Sequence, residues 1–182
     1  MILVKTGPLI NTSMEFNQEI KKEWPWKNEG WPARAKAIAE TIPPEAKVLE
    51  LGGGLCFLKT MRPELDYRSI DLKEWTSLTT VADCNKDEFP EMGLFDIIVC
   101  QGILEYIDLP FNFLNAIHKY GRRLLITYYF GKNNVSSRKN YLKIDELFVT
   151  LIKTEWKVVA IRRVSNEEII FLCVKYDKSF LV

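Results

Sequence analysis

The chain predicts a doubly wound α/β fold, a seven-stranded sheet that is mostly parallel and ends in an antiparallel hairpin. Three observations predict it. Five short, nearly continuous apolar runs at 48–51, 67–71, 79–83, 96–100 and 124–129 suit strands buried on both faces. Helical or loop-like segments separate them, the strand, crossover, strand repeat of a parallel sheet. Two β-rich runs, 156–164 and 168–176, close the chain with only Ser165, Asn166 and Glu167 between them. Three residues are too few for a parallel crossover, so this last pair is antiparallel.

In chain order, residues 1–30 carry the weakest pattern, with a short helix expected around 15–23 and Trp24, Pro25 and Trp26 behind it. They are read as an N-terminal cover, in which Trp24, Trp26 and Trp31 pack the segment onto the domain more readily than they close over a substrate. From Pro32 onward Ala35, Ile38, Ala39 and Ile42 fall at i, i+3, i+4 and i+7, a helix with one apolar face that Pro43 and Pro44 stop. A second helix is expected after Gly54, a short segment near Trp75, and a third helix over 110–120 with Gly121 closing it. The polar stretch 131–140 reads either as a mobile loop on the acceptor side or as a solvated linker. Beyond it Ile144, Leu147, Phe148, Leu151 and Ile152 form an apolar helical stripe.

Composition bounds the function. With 182 residues, 47% hydrophobic and 27% charged, the chain has the size and balance of one globular domain, here a cover over 1–30 and a core over 31–182. The 25 basic residues nearly cancel the 24 acidic ones, and the basic pairs are scattered, so nucleic acid is not the expected partner. No run is long enough for a membrane span and the N-terminus lacks a signal pattern, which predicts a cytoplasmic protein with no membrane partner. Cys56, Cys84, Cys100 and Cys173 are widely spaced and His118 is the single histidine, so buried thiols are expected and no metal site.

The chemistry gathers where the first strand, Val48-Leu49-Glu50-Leu51, runs into Gly52-Gly53-Gly54 and then Leu55-Cys56-Phe57-Leu58. Glycine lets a backbone approach a ligand where a Cβ would clash, and a helix start offers free N–H groups to an anion. Glu50 ends that strand, and Asp71 ends the next one about twenty residues on, where an acidic residue meets a ribose in dinucleotide-type sites. Phe57 occupies the third glycine place of the G-x-G-x-x-G spacing, which argues against a dehydrogenase or a nucleotide-sugar enzyme.

With these residues the stretch from about 33 to 176 resembles the class I S-adenosylmethionine-dependent methyltransferases, a Rossmann-like family. Their first motif reads acidic-x-Gly-x-Gly-x-Gly and stands here as Glu50, Gly52, Gly54 and Cys56. The run Phe95-Asp96-Ile97-Ile98 to Leu104-Glu105-Tyr106 resembles their fourth-strand motif, with Tyr106 replacing the usual histidine. The short segment between Asp71 and Asp83 resembles compact members from polysaccharide and small-metabolite pathways. The resemblance implies S-adenosylmethionine as cofactor and methyl transfer to a small-molecule or glycan acceptor. Gly52, Gly53 and Gly54 would then line the methionine part, Asp71 would take the ribose hydroxyls and Asp83 the adenine amino group, with Glu50 and Gln101 also at the cofactor. Tyr106 would orient the acceptor, and a binding domain of this type without turnover is the alternative. The acceptor, its pathway and the oligomeric state have no readable code.

Each assignment has a structural competitor. Asp71 could cap the segment 72–75, Asp83 could serve a turn before Asn85, and Asp96 is best read as a structural acceptor. His118 is expected to be a helix surface or core residue and not a base.

Overall fold

The computed structural model describes residues 30–86, 89–131 and 139–176. The expected helix at 15–23, Trp24, Trp26, the Trp31 side chain and most of the polar stretch 131–140 lie outside the described residues.

Helix α1 spans Gly30–Ala39 and leads into strand β1, Lys47–Leu51. Helix α2 (Phe57–Met61), strands β2 (Asp66–Asp71), β3 (Thr79–Val81) and β4 (Ile97–Gln101), and helix α3 (Pro110–Ala116) follow. Strand β5 (Arg123–Tyr129), helix α4 (Ile144–Lys153) and strands β6 (Trp156–Arg163) and β7 (Glu168–Lys175) complete the order. The seven strands form one sheet in the order β3-β2-β1-β4-β5-β7-β6. The first five are parallel, and β7 pairs antiparallel with both β5 and β6. No helix of the described residues is long and apolar enough to cross a membrane.

Period-2 alternation divides each strand between two apolar layers. Val48, Ile97, Val99, Leu125 and Ile170 meet Ala37, Ile38 and Leu58 on the face covered by α1 and α2. Leu49, Leu51, Ile98, Leu124, Ile126 and Phe171 meet Phe113, Leu114, Leu147 and Leu151 on the face covered by α3 and α4. Trp156 is fully buried in this second layer, where its indole N–H donates to the Leu114 carbonyl at 3.1 Å. Its polar atom is thereby satisfied inside an otherwise apolar layer.

Several details refine the sequence pattern. The strand expected over 79–83 ends at Val81, because the chain turns at Ala82 toward the cavity described below. The segment near Trp75 has no regular structure, and there Asp71 accepts the Trp75 indole N–H instead of capping backbone. The helix over 110–120 is α-helical only to Ala116 and tightens into a 3-10 turn at Ile117–Tyr120. Gly121 beyond it is extended, with φ of −179°, and not a left-handed cap. Its missing Cβ serves packing instead, since one would sit 2.8 Å from the Phe95 carbonyl oxygen. Of the expected stripe on α4, Leu147 and Leu151 are buried while Ile144, Phe148 and Ile152 are partly exposed.

Candidate active site

The carboxyl ends of β2, β1 and β4 open into a cavity of about 330 Å³, large enough for a nucleoside-sized ligand. Glu50, Gly52, Gly53, Gly54, Asp71, Asp83, Gln101 and Tyr106 all line it. The topology brings them together: β1 is central among the first four strands, so the turn that leaves it is flanked by Asp71 on one side and Gln101 on the other.

The glycine turn takes its shape from what lies beneath. Gly52 has φ of +73°, and a Cβ on it would fall 2.9 Å from the Ile103 Cβ, so both backbone and space call for glycine. A Cβ on Gly53 would meet the Ser69 hydroxyl at 2.3 Å. The helix that follows is only five residues long and begins after Cys56, itself left-handed at φ of 54°. The helix start expected to offer free N–H groups is therefore short, and the Gly54 N–H is already engaged: it donates to Asp71 Oδ2 at 3.0 Å. The Trp75 indole N–H donates to Asp71 Oδ1 at 3.3 Å. Two donors from opposite sides fix the carboxylate and leave its remaining lone pairs for the cavity.

Glu50, 2% exposed, points under the turn and accepts a short hydrogen bond from the Tyr67 hydroxyl. Burial pushes its carboxyl up to about 7; the Tyr67 bond works against this and the Asp71 charge adds to it. Glu50 belongs to a polar band that crosses the α1 and α2 face at the sheet's carboxyl edge. Pairing sets Ser69 opposite Glu50 and Thr127 opposite Gln101, and Tyr129 opposite Glu168 at the start of β7. The Gln101 Oε1 atom is buried in this band without a hydrogen bond in the described residues.

Asp83 both lines the cavity and serves its own turn, since its Oδ1 accepts the Asn85 N–H at 2.9 Å. Tyr106 sits in a 3-10 turn, Leu104–Tyr106, that neighbouring segments hold. Its carbonyl accepts from the Asn85 amide at 3.1 Å. Beside it Glu105 is 3% exposed, and its Oε1 accepts the Tyr129 N–H at 2.9 Å while its carbonyl accepts the Lys139 N–H at 2.8 Å. The Asn140 amide donates to the carbonyls of Leu104 and Ile107 at 2.6 and 2.7 Å. Glu105 and Asn140 thus position Tyr106 without touching the cavity. Sequence reasoning missed both, and the acidic residue of the L-E pair was the available signal.

Two other residues lie elsewhere. His118 stacks edge-on against Trp156 at 4.4 Å, away from the cavity, and burial followed by the nearby Lys175 charge lowers its pKa. Asp96 accepts the Lys47 N–H at 2.8 Å at the amino end of the sheet, a structural bond. All four cysteines are free and buried, and no group of three metal-ligating side chains occurs among the described residues.

No protein-family model matches the chain, and no curated protein sequence matches it. Solved structures do. The 1,6-didemethyltoxoflavin-N1-methyltransferase of Burkholderia thailandensis, bound to 1,6-didemethyltoxoflavin and S-adenosylhomocysteine, superposes with a TM-score of 0.67 at 18% identity, over 83% of this chain and 80% of its own. The magnesium protoporphyrin IX methyltransferase of Synechocystis with bound S-adenosylmethionine gives a TM-score of 0.65 at 13% identity, over 80% of each chain. A TehB-like S-adenosylmethionine-dependent methyltransferase from Corynebacterium glutamicum gives 0.61 at 19% identity, over 79% of this chain and 87% of its own. The seven-stranded, mostly parallel sheet with its terminal antiparallel hairpin is the fold of these methyltransferases.

Proposed function

We propose that this chain is an S-adenosylmethionine-dependent methyltransferase acting on a small-molecule or glycan acceptor. The observation that carries the reading is Asp71, a carboxylate at the end of β2 held by the Gly54 N–H and aimed into the cavity beside three glycines. The donor set suits the cofactor part by part. Asp71 is placed for a ribose diol, Asp83 for an adenine amino group, and the turn Gly52 to Gly54 with Gln101 for a methionine end. The unpaired, buried Gln101 Oε1 is an acceptor of the kind an ammonium group requires. Glu50, beneath the turn, supports this end from behind.

The bound cofactor supplies a methyl group on a positively charged sulfur, open to in-line attack by an acceptor oxygen, nitrogen or carbon. The protein's part is alignment and exclusion of water, worth up to about 7–11 kcal/mol for well-oriented reactants. The apolar walls of Leu55, Phe57, Ile103 and Ile107 exclude water, and Tyr106 orients the acceptor. Two of the similar structures are named for small-molecule acceptors, toxoflavin precursor and porphyrin, which supports that class over a macromolecule.

The test is incubation with S-adenosylmethionine radiolabelled in the methyl group and a metabolite extract, alongside calorimetric titration of the cofactor. Transfer of label into the small-molecule or glycan fraction is the expected result. Binding with no transfer would support a domain that holds the cofactor without turnover, and absence of binding would refute the cofactor assignment.

A further inference from the structure

We propose that α4 seats a second copy of this chain, so that the protein is a two-fold dimer packed helix against helix. The helix carries more apolar surface than the sheet covers. Leu147 and Leu151 are buried, while Ile144, Phe148 and Ile152 follow one another at four-residue steps and are 38%, 36% and 58% exposed. Val149 on the same helix is exposed too. Strand β6 begins just beyond the helix and adds Val159 and Ile161, both exposed. Ile161 pairs with Phe171 of the layer that α4 covers, so its side chain lies on the α4 side of the sheet. Six of the fourteen exposed large apolar side chains among the described residues thus fall between 144 and 161. Scattered apolar residues need no partner, but such a concentration is the signature of an interaction surface.

The occupant follows from the pattern. The run Ile144, Phe148, Ile152 reads the same in both directions, and the helix is acidic in its first turn, at Asp145 and Glu146, and basic in its last, at Lys153. A second copy turned about a two-fold axis through Phe148 lies antiparallel to the first. Ile144 of one copy then meets Ile152 of the other, Phe148 meets its own counterpart, and each acidic first turn faces a basic last turn. The two helix dipoles are opposed as well. An anionic lipid surface fits less well, because Asp145 and Glu146 border the apolar stripe. Pairing through the free edge of β6 is disfavoured, since Lys157, Arg162 and Arg163 stand on that strand and its register shifts between Val158 and Ala160. A ten-residue helix is only about 15 Å long. A stable interface of roughly 800 Å² per copy therefore needs β6 at its margin, where Val159 and Ile161 are exposed. None of these residues lines the cavity, so the dimer forms without using its walls.

The test is sedimentation equilibrium of the full chain over a range of concentrations, with far-UV circular dichroism as the control for folding. Wild type should show an equilibrium between monomer and dimer. Phe148→Glu and, at a more exposed position, Ile152→Glu should each weaken the dimer by at least about thirtyfold while keeping the wild-type spectrum. Lys153→Glu should weaken it by about threefold or more, because like charges then meet at both ends. Adding Asp145→Lys to that variant should recover most of the loss, a result that a merely adhesive surface would not give. A wild type that stays monomeric overturns the proposal. If such a monomer binds vesicles of phosphatidylserine and phosphatidylcholine, or dimerises once residues 177–182 are removed, the face belongs to a membrane or to that segment instead. A dimer that persists in both glutamate variants places the interface elsewhere and equally overturns it. A double charge variant no stronger than Lys153→Glu overturns the antiparallel seating.

Discussion

The two halves of the sheet are built differently. Strands β1, β2 and β3 have 5, 6 and 3 residues, whereas β5, β6 and β7 have 7, 8 and 8. The short half carries positive φ at Gly52, Gly54 and Cys56 within five residues and a buried polar cluster of Glu50, Tyr67 and Ser69 beneath them. The long half carries Trp156, Tyr128 and Phe171 at full burial, and there the Trp156 indole N–H finds an acceptor in the Leu114 carbonyl. Strained backbone and desolvated carboxylates cost stability, and a deep apolar layer supplies it. The comparison teaches that binding chemistry is concentrated on one half while the other carries much of the folding energy, so mutations on the two sides should separate affinity from stability.

The sharpest attempt to break this division is Trp156→Ala. Removing a fully buried indole should cost about 3–5 kcal/mol of stability, read from denaturant unfolding. Calorimetry well below the unfolding transition should find S-adenosylhomocysteine affinity unchanged. Next is Asp71→Ala on the short half, where losing two hydrogen bonds to a charged group, at about 1.5–3 kcal/mol each, predicts at least about a hundredfold loss in cofactor affinity. The same variant also loses the Gly54 and Trp75 hydrogen bonds, so some stability goes with it, but less than in Trp156→Ala because the side chain is only partly buried. A large affinity loss in the first variant, or a collapse of stability in the second, would show the halves to be coupled.

Glu50→Gln sharpens the comparison through pH. The folded protein holds this carboxyl near 7, above its ordinary 4.5, so the neutral form is the one the fold favours. Its contribution to stability is complete below about 4.5 and is lost as the pH rises through about 7. Glutamine keeps an acceptor for the Tyr67 hydroxyl and cannot ionise. The variant should therefore match wild type in acid and become the more stable of the two as the pH rises through that window, by unfolding measured at successive pH values. A stability difference that does not vary with pH would contradict it.

The strands and the terminal hairpin were legible because burial on both faces leaves apolar runs, and three residues between 164 and 168 admit only a hairpin. The glycine turn and Asp71 were legible because glycine clusters and strand-end carboxylates have few uses. Arg34, which also lines the cavity, was not. In a helix whose apolar face is Ala35, Ile38 and Ala39, an arginine reads as solvated, and its burial depends on Gly102 and Glu168, distant in sequence. Glu105 and Asn140 were hidden for the same reason, since their bonds join segments 24 and 36 residues apart. The left-handed Cys56 that shortens α2 leaves no mark at all, because cysteine is an uncommon choice there.

The smallest expected effect tests the acceptor side. Tyr106 lines the cavity where the similar fourth-strand motif carries histidine, while the chain's own histidine, His118, packs on Trp156 away from the cavity. The Tyr106 hydroxyl can both donate and accept a hydrogen bond, which suits it to orient an acceptor in the cavity. If that bond orients the acceptor, Tyr106→Phe should lower turnover by about tenfold, about 1.4 kcal/mol in the transition state, with cofactor affinity held. The 3-10 turn should survive the change, because the amides of Asn85 and Asn140 and the Glu105 carboxylate tie it to neighbouring segments. His118→Ala is the control: it should leave turnover intact and cost only packing against Trp156. Full turnover in Tyr106→Phe would reduce the tyrosine to a wall of the cavity. A large turnover loss in His118→Ala would mean that the region around Trp156 takes part in chemistry, and the division between the halves would have to be given up.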